Sequence, residues 1–163
     1  KSPQLLVLGG AASLQRGALI AAETKLGKVV QTVERMTVAR KMLAETYLRM
    51  GQPEKSLATL RPLLEQAKPD GDALTLAGQA HLQAGNAQEA ETVFAAAVKL
   101  KPQDVQVRTA LALTDLVKGN AEAAFDALQD IAAKDSGETA DLARAAGEPT
   151  RNTSIVAGLR FSF

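Results

Sequence analysis

Few residues in this chain could carry out chemistry, and His81 comes first because it is the sole histidine. A histidine can act as a general base when a serine and an aspartate lie beside it, so nucleophilic catalysis is the activity to consider. However, no Gly-x-Ser-x-Gly motif is present, and the chain has no cysteine. It also lacks a phosphate-binding glycine loop, a calcium loop and a His-Glu-x-x-His pair. We therefore expect no enzyme, no cofactor and no metal site, with His81 packed as a structural residue.

Composition excludes further classes of partner. The formal net charge is +1, the basic residues are scattered, and the aromatics amount to four Phe and one Tyr, so we expect no nucleic-acid binding. No apolar run approaches the ~20 residues of a membrane-spanning helix, so we expect no spanning segment in this chain. Asp126 and Asp130 would share one helix face, and a solvated surface explains them better than a metal site or an acid/base site.

The sequence begins at Lys1 rather than at a methionine. We interpret it as a processed chain or as a piece of a longer protein, in which case any signal peptide lies outside the sequence.

A repeat of 34 residues determines the fold. Gly17, Gly51, Gly85 and Gly119 recur at this spacing, and each lies between two amphipathic segments, as a glycine at a helix C-terminus does. The blocks aligned on these glycines are 3–36, 37–70, 71–104 and 105–138. Each block is predicted to form a helix pair, so the fold class is all-α.

The third block shows the pattern best. Its first helix is predicted at about 72–84, with Gly78 small because the two helices must approach closely there. Asn86 is predicted to cap the second helix, together with Glu89 in a capping-box-like pair. The inner face of that second helix is predicted to consist of Ala90, Phe94 and Ala97. In block two, Pro62 predicts a kink or an early end of the second helix.

These positions resemble those of the tetratricopeptide repeat (TPR). Block two matches that pattern at Leu43, Ala44, Tyr47, Leu60 and Leu63, block four at Leu111, Ala112, Ala124, Leu128 and Ile131, and the degenerate first block at Gly10, Ala22, Leu26 and Val29. Gly10 occupies the small-residue position, so helix packing explains it better than phosphate binding. The resemblance implies a right-handed superhelical solenoid of four TPR helix pairs over residues 3–138.

The sequence of the array also resembles that of a narrower group of TPR proteins. The stretches "ARKMLAETYLRMGQPEKSLATLRPLLEQ" and "DALTLAGQAHLQAGNAQEAETVFAAAVKLKPQD" are similar to TPR-repeat lipoproteins of the exosortase (PEP-CTERM) systems of Gram-negative bacteria. Those proteins are associated with extracellular polysaccharide and protein sorting. The resemblance implies a periplasmic or outer-membrane-associated protein.

The TPR resemblance also implies a concave groove lined by the first helix of each repeat. The second, fifth, ninth, twelfth and thirteenth positions of each block point into that groove in the family. They map to Lys41, Glu45, Leu48 and Arg49 in block two, to Asp72, Thr75, Gln79, Leu82 and Gln83 in block three, and to Gln106, Thr109, Leu113, Leu116 and Val117 in block four. The groove is thus predicted to change from charged, through amide-lined, to apolar.

Such a groove could bind a protein or an extended peptide, because amide side chains both donate to and accept from a peptide backbone. Some TPR proteins clamp a terminal carboxylate with Lys and Asn. Lys41 fits one clamp position, but Glu45 stands where Asn would be required, so the clamp is not expected.

The C-terminal residues differ from the repeats. Residues 138–147 are predicted to form a capping helix, and residues 148–163 a strand-like tail in which apolar residues alternate, namely at Ile155, Leu159, Phe161 and Phe163. The tail resembles the last strand of an outer-membrane β-barrel, which the barrel assembly machinery reads. Three interpretations remain open: a peptide that lies in a groove or on an edge, the last strand of a larger exported assembly, or a chance resemblance.

The leading functional hypothesis is therefore a non-enzymatic envelope scaffold that binds a protein or peptide and serves export or assembly. Two alternatives stay open. The chain could be a structural spacer within a longer periplasmic solenoid, or the TPR part of an outer-membrane export protein whose barrel lies elsewhere.

Overall fold

The computed structural model describes residues 2–135, and this part of the chain contains eight α-helices and no strand. The helices are α1 (Pro3–Gln15), α2 (Leu19–Thr32), α3 (Thr37–Arg49), α4 (Pro53–Leu64), α5 (Gly71–Gln83), α6 (Ala87–Leu100), α7 (Val105–Val117) and α8 (Ala121–Asp135). They form four consecutive pairs in the predicted blocks. The described part is an all-α solenoid, as the sequence predicts.

The four spaced glycines end the first helix of each pair. Gly17, Gly51, Gly85 and Gly119 have φ angles of 73°, 70°, 82° and 88°, which is the left-handed region that other residues seldom adopt. At the third turn, the amide of Gly85 donates to the carbonyl of Leu82 and the amide of Asn86 donates to that of His81. These bonds satisfy carbonyls at the helix end and reverse the chain into the next helix.

Within a pair, the two helices approach closely where one residue is small. A Cβ added to Gly78 would lie 2.6 Å from the ring of Phe94, and one added to Gly10 would lie 2.6 Å from the side chain of Leu26. Real Cβ atoms do not approach other carbons this closely, so both positions require glycine. The predicted packing roles of Gly10 and Gly78 are confirmed, and Phe94 is fully buried.

Pro62 lies inside α4, and the helix ends two residues later at Leu64. The equivalent helix α6 runs to Leu100, which is two residues further in the 34-residue register. The predicted early end agrees with this shorter helix, because proline removes one backbone donor and crowds the preceding turn.

The predicted cap of α6 is wrong. Asn86 occupies the N-cap position, but its side chain makes no capping hydrogen bond, and its ψ angle is 69°. Asp70 and Asp104 cap α5 and α7 instead, with ψ angles of 123° and 106°. These extended values are typical of an N-cap, whereas the tight turn after Gly85 leaves Asn86 in a conformation that does not aim its side chain at the first turn.

Packing between pairs is asymmetric. The first helices contact one another along the array, α3 against α1 and α5, and α5 against α7, whereas the second helices α2, α4, α6 and α8 make no contact among themselves within the described residues. The array is therefore narrower on the side of the first helices, and that side forms its inner wall.

Candidate functional site

The predicted groove residues lie on the face of the first helices that points away from the packed core. The opposite stripe of each helix is buried against its neighbours, as Leu43 and Ala44 show in α3, and Ala77 and Gly78 in α5. The candidate positions are exposed or half-buried on the remaining face: Lys41, Glu45, Leu48, Arg49, Asp72, Thr75, Gln79, Leu82, Gln83, Gln106, Thr109, Leu113, Leu116 and Val117. The structure thus places these side chains on one wall, and their role in binding stays a prediction.

A chain of alternating charges runs from repeat two to the end of repeat three, and we call it the charge ladder (Lys41, Asp70, Asp72, Lys101 and Asp104). The Lys41 Nζ lies 3.1 Å from Asp70 Oδ2 and 3.0 Å from Asp72 Oδ2. The Lys101 Nζ lies 2.7 Å from Asp72 Oδ1 and 2.8 Å from Asp104 Oδ2. Two lysines therefore hold three aspartates, and the contact between Lys41 and Asp72 crosses from repeat two to repeat three.

The ladder has a second structural task, because two of its carboxylates cap helices. The amide of Ala73 donates to Asp70 Oδ1 at 2.9 Å, which begins α5. The amides of Gln106 and Val107 donate to Asp104 Oδ1 at 3.0 and 3.2 Å, which begins α7. A negative charge at a helix N-terminus is also favoured by the helix dipole.

The ladder shifts the ionisation of its members in the expected directions. The hydrogen bond from Lys101, followed by that from Lys41, lowers the pKa of Asp72, and the hydrogen bond from Lys101 likewise lowers the pKa of Asp104. Burial of Lys41 works against its charged form, but the bonds to Asp72 and Asp70 outweigh it and raise the pKa of Lys41. Asp104 and then Asp72 raise the pKa of Lys101. All four groups are therefore held in their charged forms.

The contacts of Lys41 bear on whether it could belong to a carboxylate clamp. A clamp lysine must offer a free ammonium group to the terminal carboxylate of a ligand. The ammonium group of Lys41 is already shared by two aspartates, and an incoming carboxylate would be repelled by both. This adds a second reason, beside Glu45, not to assign a clamp to this wall.

Two other candidates tie neighbouring repeats together. Arg49 Nη1 donates to the carbonyl of Leu14 at 3.1 Å, and Gln83 Nε2 donates to the carbonyl of Leu48 at 3.1 Å. Both bonds join the thirteenth position of one block to the twelfth position of the block before it. Arg49 also pairs with Glu45 on its own helix at 2.8 Å. We call the bond from the thirteenth position of one repeat to the carbonyl at the twelfth position of the preceding repeat the junction bond. Its donors, Arg49 and Gln83, are residues that the sequence assigns to ligand binding.

The rest of the wall is uncharged. Gln79 is exposed, Leu113 is half-buried, and Val117 is 62% exposed. Thr75 turns its hydroxyl back to the carbonyl of Gly71 at 2.9 Å, which leaves its methyl group toward the wall. This neutral part of α5 and α7 is the area available to a partner, and we call it the neutral wall (Thr75, Gln79, Thr109, Leu113 and Val117).

His81 is half-buried on α5, and its Nδ1 is enclosed without a hydrogen-bond partner among the described residues. No group of three or more metal-ligating side chains occurs between residues 2 and 135. In the same region, no helix combines the length and hydropathy needed to cross a bilayer.

Sequence reasoning missed Asp70, Lys101 and Asp104. A signal was available for the two aspartates, because each directly precedes the first residue of a helix and they are 34 residues apart. The pairing of Lys101 with Asp72 had no such signal, because 29 residues separate them. The predicted capping helix (138–147) and the tail signal (Ile155, Leu159, Phe161 and Phe163) lie outside the described residues.

Comparison with known structures supports the fold. A fragment of MamA, residues 41 to the end, from Desulfovibrio magneticus RS-1 is 20% identical, with a TM-score of 0.73 over 90% of this chain and 78% of that one. A thermophilic TPR protein of Thermus thermophilus is 18% identical, with a TM-score of 0.75 over 90% and 81%. The first TPR domain of human RPAP3 is 15% identical, with a TM-score of 0.68 over 74% and 94%. At these identities the likeness concerns the fold alone.

No curated protein matches the chain. Two family models described as tetratricopeptide repeat match residues 41–105 and 83–146, and together they extend from repeat two beyond the end of repeat four. TPR folds generally serve as non-enzymatic scaffolds for protein–protein interaction. With the 34-residue glycine period, the close pairs at Gly10 and Gly78 and the eight helices, these matches make the chain a tetratricopeptide-repeat protein.

Proposed function

We propose that this protein binds an extended segment of a partner protein on its inner wall and that the neutral wall is the contact area. The observation that carries the proposal is the division of that wall: Lys41 and Lys101 are engaged with aspartates, whereas Gln79, Leu113 and Val117 face solvent. A ligand there would exchange backbone hydrogen bonds with the amide and place apolar side chains against the leucine and valine.

The neutral wall also indicates which ligands are disfavoured. A strongly acidic segment would find Lys41 and Lys101 already paired and would approach Asp70, Asp72 and Asp104 of the charge ladder. The favoured ligand is an extended peptide of low charge with alternate apolar residues, because successive side chains of an extended chain point to opposite sides.

A display library of random peptides, selected on the full chain, tests the proposal. Leu113→Glu places a charge in the neutral wall, and Leu100→Glu is the matched control because Leu100 is 53% exposed at the end of α6, outside the neutral wall. We expect low-charge, apolar peptides to be enriched on the native chain and on the control, and to bind Leu113→Glu at least tenfold more weakly, since about 1.4 kcal/mol corresponds to tenfold. Equal binding to both variants, or no enrichment at all, would contradict the proposal and favour the spacer alternative.

We further propose that this binding takes place in the cell envelope and serves export or assembly. The support is the resemblance of residues 39–104 to exosortase-associated lipoproteins and the alternation of apolar residues at Ile155, Leu159, Phe161 and Phe163. On this proposal the outer-membrane assembly machinery is a second partner, reached through the tail. Fusion of residues 148–163 to a soluble reporter in a Gram-negative host tests it. We expect the fusion with the native tail to be recruited to that machinery and the fusion with a Phe163→Asp tail not to be. Equal recruitment of the two fusions would contradict the proposal.

A further inference from the structure

The neutral wall is assembled from two repeats. Thr75 and Gln79 come from α5 in repeat three, whereas Leu113 and Val117 come from α7 in repeat four. Gln79 and Leu113 occupy equivalent positions on neighbouring helices that contact each other. Packed helices lie about 8–10 Å apart, so three residues of an extended peptide, at about 3.3 Å each, reach from one helix to the next. A peptide that contacts both residues therefore crosses the junction between these two repeats, which we call the third junction.

The third junction has the smallest apolar core of the three. Among residues 2–135, the buried cluster that crosses the first junction has six residues, the one at the second has five, and the one at the third has three. Those three are Leu74 of α5, Ala97 of α6 and Val107 of α7. Because burial of apolar side chains is the main attraction between stacked repeats, repeat four is attached less firmly than repeats two and three.

The polar contact at the third junction also differs in kind. Arg49 and Gln83 supply a junction bond at the first and second junctions, but the valine side chain at the same position, Val117, cannot donate one. Instead, Lys118 Nζ pairs with Glu91 Oε2 at 2.6 Å, and their side chains are 26% and 33% exposed. An ion pair near the surface contributes little to stability and is weakened by salt, so this junction responds to ionic strength.

We propose that the third junction is a hinge, and that movement of repeat four about it sets the spacing between the two halves of the neutral wall. Salt loosens the hinge because it screens the Lys118–Glu91 pair. A bound peptide tightens it, because contacts to Gln79 and Leu113 join α5 to α7. The effect of the peptide rests on the proposed function, whereas the effect of salt does not. Peptide binding and the ion pair are thus coupled, although neither Lys118 nor Glu91 belongs to the neutral wall.

Pairs of spin labels on the full chain measure this movement. The sequence has no cysteine, so labels attach only where one is introduced. The second helices offer an exposed residue at the same register position in every repeat, namely Thr24, Ala58, Thr92 and Asp126. Double electron–electron resonance between Thr92→Cys and Asp126→Cys reports on the third junction. Cysteines at positions 24 and 58, and at 58 and 92, form the matched control pairs for the first and second junctions.

We expect the third pair to give a broader distance distribution than either control pair. Raising the salt concentration should broaden it further, with a smaller change in the control pairs, where a junction bond and a larger apolar cluster remain. Lys118→Met removes the charge and keeps a long side chain, so it should give the broad distribution at low salt and abolish the salt response. Lys134→Met is the control, because Lys134 pairs with Asp130 within α8, at 2.7 Å, and should behave as the native chain does.

The peptide arm uses as its probe the peptide that the display library enriches most. At high salt, and at a concentration that saturates the native chain, this peptide should narrow the distribution of the third pair and leave the control pairs unchanged. It should not narrow the third pair in Leu113→Glu at the same concentration. That difference would show that the narrowing depends on contact with the neutral wall.

The outcomes separate the hinge from the proposed function. A third pair as narrow as the control pairs at every salt concentration, or equal broadening of all three pairs, would overturn the hinge without touching peptide binding. An equal effect of Lys118→Met and Lys134→Met would overturn the role of the ion pair. A peptide that binds and leaves the third pair unchanged would overturn the coupling. If the library enriches no peptide, the proposed function and the coupling both fail, and the salt response still decides the hinge. Circular dichroism of each variant confirms that the helices are retained.

Discussion

Phe94 and Lys41 represent two ways in which this array is held together, one inside repeat three and one at its junctions. Phe94 is fully buried, and its ring fills the space that Gly78 leaves between α5 and α6. Lys41 joins repeat two to the start of α5 in repeat three through Asp70 and Asp72, and its side chain is 21% exposed. The first contact depends on shape and the second on charge and hydrogen bonds.

The difference shows where the chain tolerates change. The interior of each pair repeats one rule, a small residue under a larger one, as in Gly10 with Leu26 and Gly78 with Phe94. The junctions have no such common rule. Arg49 and Gln83 supply the junction bond at the first two junctions, but Val117 cannot donate at the third, where Lys118 pairs with Glu91 instead. We infer that pairs form as steric units and that the polar junctions set how firmly neighbouring units are joined.

The largest expected effect comes from the interior. Phe94→Ala should lower the free energy of unfolding by about 3–5 kcal/mol, because it removes a buried ring and leaves a cavity above Gly78. Urea denaturation followed by circular dichroism measures the change. Gly27→Ala is the control, because a Cβ added there meets nothing within 4 Å. That control should gain about 0.5–1 kcal/mol of stability from helix propensity. If Phe94→Ala cost no more stability than a junction variant, the contrast between the interior and the junctions would be wrong.

The same contrast explains what sequence could predict. The pairs were predictable because their contacts lie within one 34-residue block, where Gly10 and Gly78 recur in register with Leu26 and Phe94. The charge ladder was not, because Lys41 meets Asp72 across 31 residues and two turns whose geometry the pattern does not give. For the same reason Arg49 and Gln83 were assigned to a ligand, although each reaches the preceding repeat. Asn86 shows a different limit: its residue type fits a cap, but the backbone angles after Gly85 prevent it.

A change of pH should affect the junctions more than the interior. The pKa values of Asp72 and Asp104 are lowered in the folded chain, chiefly by Lys101. A lowered pKa means that the ionised form stabilises the fold. This contribution is fully present above the unfolded pKa of about 4 and is lost as the pH falls through the lower folded values.

Asp72→Asn measures that contribution. The variant should unfold about 1 kcal/mol more easily than the native chain near neutral pH, the upper range for a partly exposed pair, and the difference should vanish at acidic pH. Asp126→Asn, which changes an exposed aspartate on α8 outside the ladder, is the control and should show neither effect. A difference between native chain and Asp72→Asn that persists below the folded pKa would show that the ladder stabilises by packing rather than by charge.

The smallest expected effect comes from moving the junction bond. Gln83→Leu removes the donor at the second junction and should cost about 0.5 kcal/mol, the low end for a neutral hydrogen bond, because this bond is exposed. Val117→Gln supplies a donor at the third junction and should gain about as much. Hydrogen exchange of α7 and α8, measured at low and high salt, separates the two kinds of contact. In the native chain the exposed Lys118–Glu91 pair is screened by salt, so these helices should exchange faster at high salt. In Val117→Gln that salt dependence should shrink, because a neutral hydrogen bond to Leu82 then shares the junction. If Val117→Gln kept the salt dependence of the native chain, the new side chain would not bond to Leu82, and the Lys118–Glu91 pair would still govern how firmly the last repeat is attached.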